Sequence, residues 1–370
     1  MLQRLYIHNF RCLENFEFKP GSASSALLIG KNGSGKSTLA KVFRLFQAIG
    51  RGTNRVGQLV RVKDFTLGRT DVPIRLEMEA KLSGRLYRYV LLLDLPERFR
   101  ELRVLEEKLM LDDEVVYSRE LAQVVIRRQG GAQPEAKFNI DWHLIALPVI
   151  QDPSSSDALS EFREWMARMI LLAPIPSHMG GEASDETLEP EEDGKNFADW
   201  LSGILAQYPS AYSTLTRHLQ EIMPDLADFR FERAGKESKS LLVRFKSETA
   251  EHEFEFDSLS DGEKCFFLCA VVLAANQCYG PLFAFWDEPD NYLALNEVSH
   301  FVMALRQGFH KGGQIVMTSH NEEAVRRFSN DNTWVLGRRS HLEPTIIRLL
   351  DDMPAPSDLV QSLIYGDLEP

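Results

Sequence analysis

Residues 30–38 read Gly-Lys-Asn-Gly-Ser-Gly-Lys-Ser-Thr, which sets glycines, lysine and hydroxyls at a spacing suited to phosphate chemistry. Gly30, Gly33 and Gly35 allow the backbone to wrap an anion with its N–H groups, and a helix opening directly after them would aim its N-terminus at the same charge. Lys36 is then expected at the β- and γ-phosphates and Ser37 on Mg²⁺, with Asn32, Ser34 and Thr38 completing the nucleotide-binding loop. Far downstream, the apolar run 282–286 leads into Asp287 and Glu288. Carboxylates emerging at the carboxyl end of a buried strand lie where parallel sheets place their ligands. Asp287 can hold Mg²⁺ directly or through water. Glu288 can polarise an attacking water, a general-base role worth about 10²- to 10⁴-fold in rate. A further strand-like run, 314–317, enters Thr318-Ser319-His320 and puts His320 beside the same strand ends, within reach of a γ-phosphate and its water.

The elements that must position these groups can be read from periodicity. Residues 26–29 form a continuous apolar run ahead of the glycines, and residues 39–46 repeat with a helical period after them. The chain opens with an alternating strand over 2–7, and residues 74–80 and 86–93 read as strands of an antiparallel flank, with more strand-like sequence to about Tyr117. Residues 135–225 read mainly as helices, for example 158–166 and 212–219, interrupted at about 180–195 by an acidic stretch with almost no apolar residues that reads as a flexible linker. This organisation predicts a discontinuous nucleotide-binding head over 1–340, with core lobes at about 1–95 and 226–340, a mainly helical insert at 135–225 and a C-terminal tail at 341–370. No heptad run long enough for a coiled-coil arm and no internal repeat stands out.

Several ordered motifs together resemble one family. These are the opening 5–11, the P-loop, 193–197 before a helix, Leu259-Ser260-Asp261-Gly262-Glu263, Asp287-Glu288-Pro289, 290–293 and Thr318-Ser319-His320. With them the chain resembles an ABC-type ATPase of the SMC/RecF/OLD group, of the AAA_21 type. The resemblance implies an α/β P-loop NTPase fold, an ABC-ATPase head with a mixed sheet, an antiparallel β flank and a helical insert. It implies ATP and Mg²⁺ as cofactors. Ser260 and Gly262 match the signature loop, which opens a helix and presents it to the γ-phosphate held by the P-loop of a second subunit; Asp261 and Glu263 stand where Gly and Gln are commonest. Asp290 matches the D-loop that crosses the dimer interface, and Arg11 matches a basic residue that approaches the nucleotide. For the glutamine of the Q-loop, which would join the metal site, Gln151 and Gln47 are both candidates, and a plain solvent-exposed glutamine is an equal reading.

The same resemblance implies a homodimer closed by ATP, acting as a nucleotide switch in DNA repair or anti-phage defence. A separate effector such as a nuclease is expected as partner, because the carboxylates outside the ATP site form no metal-binding pattern of their own. Two other classes fit less well. A transporter's nucleotide-binding subunit would carry a smaller insert between the P-loop, ending at 38, and the signature at 260. A small-molecule kinase would leave the signature and His320 without a task.

Composition sets outer bounds. A chain of 370 residues, 44% hydrophobic, can bury a large core. A net charge of −12 with an isoelectric point near 5.3 excludes a wholly basic nucleic-acid-coating protein. One local basic segment, Arg51, Arg55, Arg61, Lys63 and Arg69, leaves nucleic acid as a possible partner, against the alternative of a solvated loop. Cys265 and Cys269 lie at helical spacing inside an apolar run and read as small buried hydrophobes. That run is too short to span a bilayer, and no charged-then-apolar leader precedes the first strand, so a cytoplasmic protein without membrane contact is expected.

Overall fold

The computed structural model describes residues 1–127, 134–150, 156–354 and 370. The chain runs through β1 (Leu2–His8), β2 (Phe16–Phe18), β3 (Ser25–Ile29), α1 (Lys36–Gly50) and a short α2 (Val56–Leu59) into six consecutive strands, β4 (Ile74–Leu82), β5 (Arg85–Asp94), β6 (Arg103–Leu111), β7 (Glu114–Glu120), β8 (Gln123–Arg127) and β9 (Pro134–Asn139). Then come α3 (Ser156–Ala167), β10 (Ile170–Leu172), β11 (Glu182–Ala183), α4 (Phe197–Gln207), α5 (Ala211–Ile222), β12 (Leu226–Ala234), β13 (Ser238–Lys246) and β14 (Glu251–Glu255). The last third holds α6 (Asp261–Tyr279), β15 (Phe283–Trp286), α7 (Leu295–His310), β16 (Gln314–Thr318), α8 (Glu322–Arg326), β17 (Thr333–Gly337) and β18 (Ile346–Leu349).

Two compact units divide these elements: Met1–Ala23, Leu28–Met169 and Asn330–Pro370 in the first, Ser24–Leu27 and Ile170–Ser329 in the second. The first unit is built on an antiparallel sheet of order β2-β1-β4-β5-β6-β7-β8-β9. Its strands alternate buried and exposed positions, as a sheet with one covered face must. Helix α1 buries Leu39, Val42, Phe43, Phe46 and Ile49, an apolar stripe at the spacing of one helix face. Phe46 meets Tyr89 of β5 edge-on, and Phe162 of α3 stacks on Tyr87 with centroids 5.6 Å apart. Strands β17 and β18 pair antiparallel in this unit.

In the second unit β10, β15 and β16 run parallel, and every residue of the three is buried, which explains their unbroken apolar runs. Ser24 accepts from Ile315 N at 2.9 Å at the start of β3. Helix α6 is buried along Lys264–Asn276 on all sides, so it is the core helix of this unit. Burial pushes the Cys265 thiol up to about 12 and that of Cys269 higher still, leaving both as inert packing groups. No helix among the described residues is long and apolar enough to cross a membrane.

The acidic stretch expected to be a flexible linker is tied down instead. Glu182–Ala183 pairs with β13, Ala173 and Ile175 donate to the carbonyls of Glu192 and Asp193 at 2.9 Å, and Asp199 Oδ1 accepts from Ser184 N and Asp185 N at 2.8 Å. Backbone groups and side chains, Asp199 and Asn196 among them, supply the order here, which a composition-based reading cannot register.

Candidate functional site

In the first unit, β3 delivers the chain into the glycine loop and α1 carries it away. Gly33 and Gly35 hold φ of 80° and 108°, in the left-handed region that favours glycine, and Gly35 is the N-cap of α1. The uncapped N–H groups of that helix end, with its dipole, make an anion site. A Cβ at Gly30 would lie 2.2 Å from the Leu336 carbonyl oxygen, so the loop sits closed against β17. Lys36 is buried, and its Nζ donates to the carbonyls of Gly30 at 2.6 Å and Lys31 at 3.3 Å, which folds the ammonium back across its own loop. The Ser34 hydroxyl is buried with no hydrogen-bond partner among the described residues, an orphan that a nucleotide would satisfy.

Two residues, Leu336 of β17 and Thr345 immediately before β18, support the loop. Thr345 Oγ1 donates to Ser34 O at 2.9 Å, and Thr345 N donates to Cys12 O at 2.8 Å; Leu336 is the wall already noted. Sequence reasoning left Thr345 in a tail, and no local pattern marks it. Arg11, with φ 54°, pairs through Nη2 with Asp64 Oδ1 at 2.7 Å and donates its N–H to Asp64 O at 2.7 Å. Gln47 donates from Nε2 to Met169 O at 2.6 Å, while Gln151 lies outside the described residues. In the basic segment, Arg55 meets Glu101 at 3.3 Å and Arg69 meets Glu14 at 2.7 Å, so carboxylates offset part of its charge.

In the second unit a different apparatus forms at the carboxyl ends of β15 and β16. The parallel register pairs Trp286 with Met317, which sets the next residues, Asp287 and Thr318, side by side. Thr318 Oγ1 donates to Asp287 Oδ1 at 2.5 Å and accepts from Glu288 N at 2.9 Å. One buried hydroxyl therefore orients the Asp287 carboxylate and holds the Glu288 backbone. Glu288 holds φ 49°, a conformation a non-glycine residue adopts at a cost and one that clusters at functional sites. Its Oε1 lies 3.2 Å from His320 Nε2 and its Oε2 accepts from Asn291 Nδ2 at 2.7 Å. Glu288 and His320 are both about one-third exposed, accessible to a water molecule. Asp290 is buried; its Oδ2 accepts from Ser319 Oγ at 2.8 Å, its Oδ1 has no partner among the described residues, and burial holds its carboxyl above the ordinary aspartate value. Sequence reasoning named Asp287, Glu288, Asp290 and His320 but assigned no role to Thr318, Ser319 or Asn291.

The signature segment opens α6. Ser260 is its N-cap: Ser260 Oγ accepts from Glu263 N at 3.4 Å, and Glu263 Oε2 accepts from Ser260 N and Ser260 Oγ at 2.7 Å. This capping box explains a glutamate at 263 on structural grounds, and the Ser-x-x-Glu spacing was its available signal. Ser260 and Asp261 are exposed at the helix end.

A glycine loop closed over a helix N-terminus, and a separate Asp-Glu pair and histidine at parallel strand ends, define a P-loop ATPase of the ABC class. The family model described as "AAA domain, putative AbiEii toxin, Type IV TA system", AAA_21, matches residues 25–326, and the chain belongs to this family. Its fold is that of SMC heads. An SMC head bound to the C-winged helix domain of ScpA aligns with TM-score 0.58 at 12% identity, covering 95% of this chain and 98% of that one. A head domain from Thermotoga maritima aligns at 0.50 and 14%, covering 94% and 98%, and one from Pyrococcus furiosus, with an extended coiled coil and bound to the C-terminal domain of ScpA, at 0.54 and 11%, covering 95% and 96%. No curated protein matches the sequence. The chain is an ATP hydrolase by class, with the α/β ABC-ATPase head architecture.

Proposed function

We propose that this ATPase is an ATP-gated clamp: two copies close head to tail on two nucleotides, and hydrolysis releases them. The observation that carries this reading is that the chain owns two helix starts suited to an anion, Gly35–Lys36 on α1, where the preceding residues 31–33 are exposed, and Ser260–Gly262 on α6, where Ser260 and Asp261 are exposed, for one kind of triphosphate. A second copy gives each a role, since a two-fold dimer can set one helix start of each chain against the other's nucleotide.

In this reading Lys36 leaves the carbonyls of Gly30 and Lys31 for the β- and γ-phosphates, and the N–H groups at the start of α1 bind their oxygens. Asn32, Ser34 and Thr38 line the same loop, and Arg11 supplies further positive charge. Ser37 and Asp287 would hold Mg²⁺, with Gln151, or Gln47 in its place, as a further ligand, and the cation would neutralise phosphate charge. Asp287 fits that task because Thr318 already orients its carboxylate. Glu288 accepts the proton of the attacking water, and His320, bonded to the other face of that carboxylate, steadies the water and the γ-phosphate. Asp290 shapes the turn that would face the second copy. The cycle would serve DNA repair or anti-phage defence by switching a separate effector, a nuclease being the expected kind, with nucleic acid as a possible further ligand of the segment from Arg51 to Arg69.

The test is the molar mass of the Glu288→Gln protein by light scattering with and without ATP·Mg²⁺. A dimer holding two nucleotides is expected with ATP, and monomer is expected without it. Adding Ser260→Arg should return the mass to monomer while each chain still binds ATP. A mass indifferent to both nucleotide and Ser260→Arg would end the clamp reading.

A further inference from the structure

The loop between β17 and β18 is fastened to the P-loop. Pairing of Gly337 with Ile346 makes residues 338–345 its turn. Thr345 at its end donates to Ser34 O, and a Cβ at Gly35 would meet Thr345 Oγ1 at 2.8 Å, so turn and P-loop are in direct contact. A cavity of about 150 Å³ lies between Lys31, Asn32 and Gly33 on one side and Arg338, Arg339 and His341 on the other. Arg338 is committed to the turn itself, donating from Nε to Glu343 O at 2.6 Å. Its neighbour Arg339 is exposed, as are His341 and Leu342, the latter 75% accessible. The turn thus holds a guanidinium beside the loop that binds the phosphates.

At the other helix start the charge is reversed. Asp261 is the first residue of α6, exposed, and its neighbour Glu263 is engaged by Ser260. A carboxylate there is favourable in a lone chain, where it faces the positive end of the helix dipole. Against the γ-phosphate of a second copy it would meet like charge, and closure would be opposed unless a cation stood nearby.

We propose that Arg339 is that cation: in the closed dimer Arg339 of one copy pairs with Asp261 of the partner subunit. The proposal rests on the head-to-tail reading and adds to it a partner-selecting contact. A second copy of this chain presents an acidic signature opposite in charge to the turn, whereas a head with glycine at that position would leave Arg339 unpaired. Two-fold symmetry makes the contact twice per dimer.

The experiment measures the dimer dissociation constant of Glu288→Gln with ATP·Mg²⁺ by sedimentation, alone and with Arg339→Glu, Asp261→Arg or both. Arg339→Glu is expected to weaken the dimer about 100-fold, about tenfold for each contact, and 0.5 M salt should shrink that difference. The charge-swapped double variant should recover most of the loss. Affinity of the monomer for a fluorescent ATP analogue should stay within about twofold in Arg339→Glu; a tenfold fall would place Arg339 on its own chain's nucleotide and overturn the pair. Because Asp261→Arg could disturb the start of α6, Asp261→Asn serves as the milder partner variant and should weaken the dimer less than Arg339→Glu. If Glu288→Gln dimerises with ATP but Arg339→Glu leaves its constant unchanged, the pair is wrong and the clamp stands. If Glu288→Gln never dimerises, both fall.

Discussion

Two carboxylate clusters, one in each unit, use glutamate in opposite ways. In the first unit Glu107 of β6 is fully buried and four donors reach its carboxylate: Tyr89 and Tyr117 hydroxyls donate to Oε1 at 2.9 and 2.7 Å, and Leu147 N at 3.0 Å, while Ala146 N reaches Oε2 at 2.7 Å. Arg119, equally buried, stands 3.6 Å from it and donates to the carbonyls of Leu121, Asp141 and Leu144. Burial, and then the Glu107 charge, hold both phenols well above their ordinary value, so they remain donors. In the second unit Glu288 is partly exposed and strained in its backbone, and among the described residues its carboxylate is held by a histidine and an asparagine. A charge saturated with fixed donors has no capacity left for a substrate; it fastens the 141–147 loop to the sheet. A charge oriented but under-satisfied at a strand end is available for chemistry.

That contrast is sharpest in stability. Glu107→Ala leaves a buried arginine without its counter-charge and two hydroxyls and two N–H groups without this acceptor, and is expected to cost about 3–5 kcal/mol. A urea titration should show the lowered midpoint, while the fraction that remains folded should bind ATP normally; an unmoved midpoint would break the distinction from one side. Glu288→Gln is expected to do the reverse, losing about 10²-fold or more in turnover, or about 2.7 kcal/mol of barrier, with stability within about 0.5 kcal/mol of the parent. Steady-state phosphate release and thermal melting read both quantities, and a variant that unfolds or that keeps its turnover would break it from the other side.

Smaller effects sharpen how the active cluster is held. Thr318→Val removes the hydroxyl shared by Asp287 and Glu288 and is expected to lower turnover about tenfold, with a higher Mg²⁺ requirement in a metal titration. Unchanged Mg²⁺ dependence would assign Thr318 to packing alone. The smallest effect concerns Asp290, whose carboxyl burial raises above its unfolded value of about 3.9. A folded-state value above the unfolded one means that no stability is lost below the unfolded value and that stability falls as pH rises through the folded one. Asp290→Asn removes that titration, so its melting temperature relative to the parent should climb as pH goes from about 4 to 8. A flat difference across that range would show that Ser319 already compensates the buried charge.

How much of this was legible depends on the range of the interaction. The buried strands β3, β15 and β16 announce themselves as apolar runs because both faces are covered, and the groups at their ends follow from strand direction. Glu107 could not be read this way. It sits in Leu-Glu-Glu-Lys-Leu, where a glutamate looks like a solvated strand position, and its donors come from Tyr89, Tyr117 and a loop about 40 residues on. Thr318 was visible as a residue of a motif, but its two hydrogen bonds, to the Asp287 carboxylate and from Glu288 N, depend on the parallel register of two strands separated by a helix. Thr345 is further removed, since its partner Ser34 lies 311 positions away.

By itself the sequence determined the groups that can do phosphate chemistry and the local conformations they need, because glycine freedom, apolar periodicity and the ends of strands and helices are properties of a few consecutive residues. Only the tertiary structure decided which charges are saturated and which are left to act. That outcome depends on which donors a fold brings to each carboxylate, and those donors come from strands and loops that only chain folding places side by side.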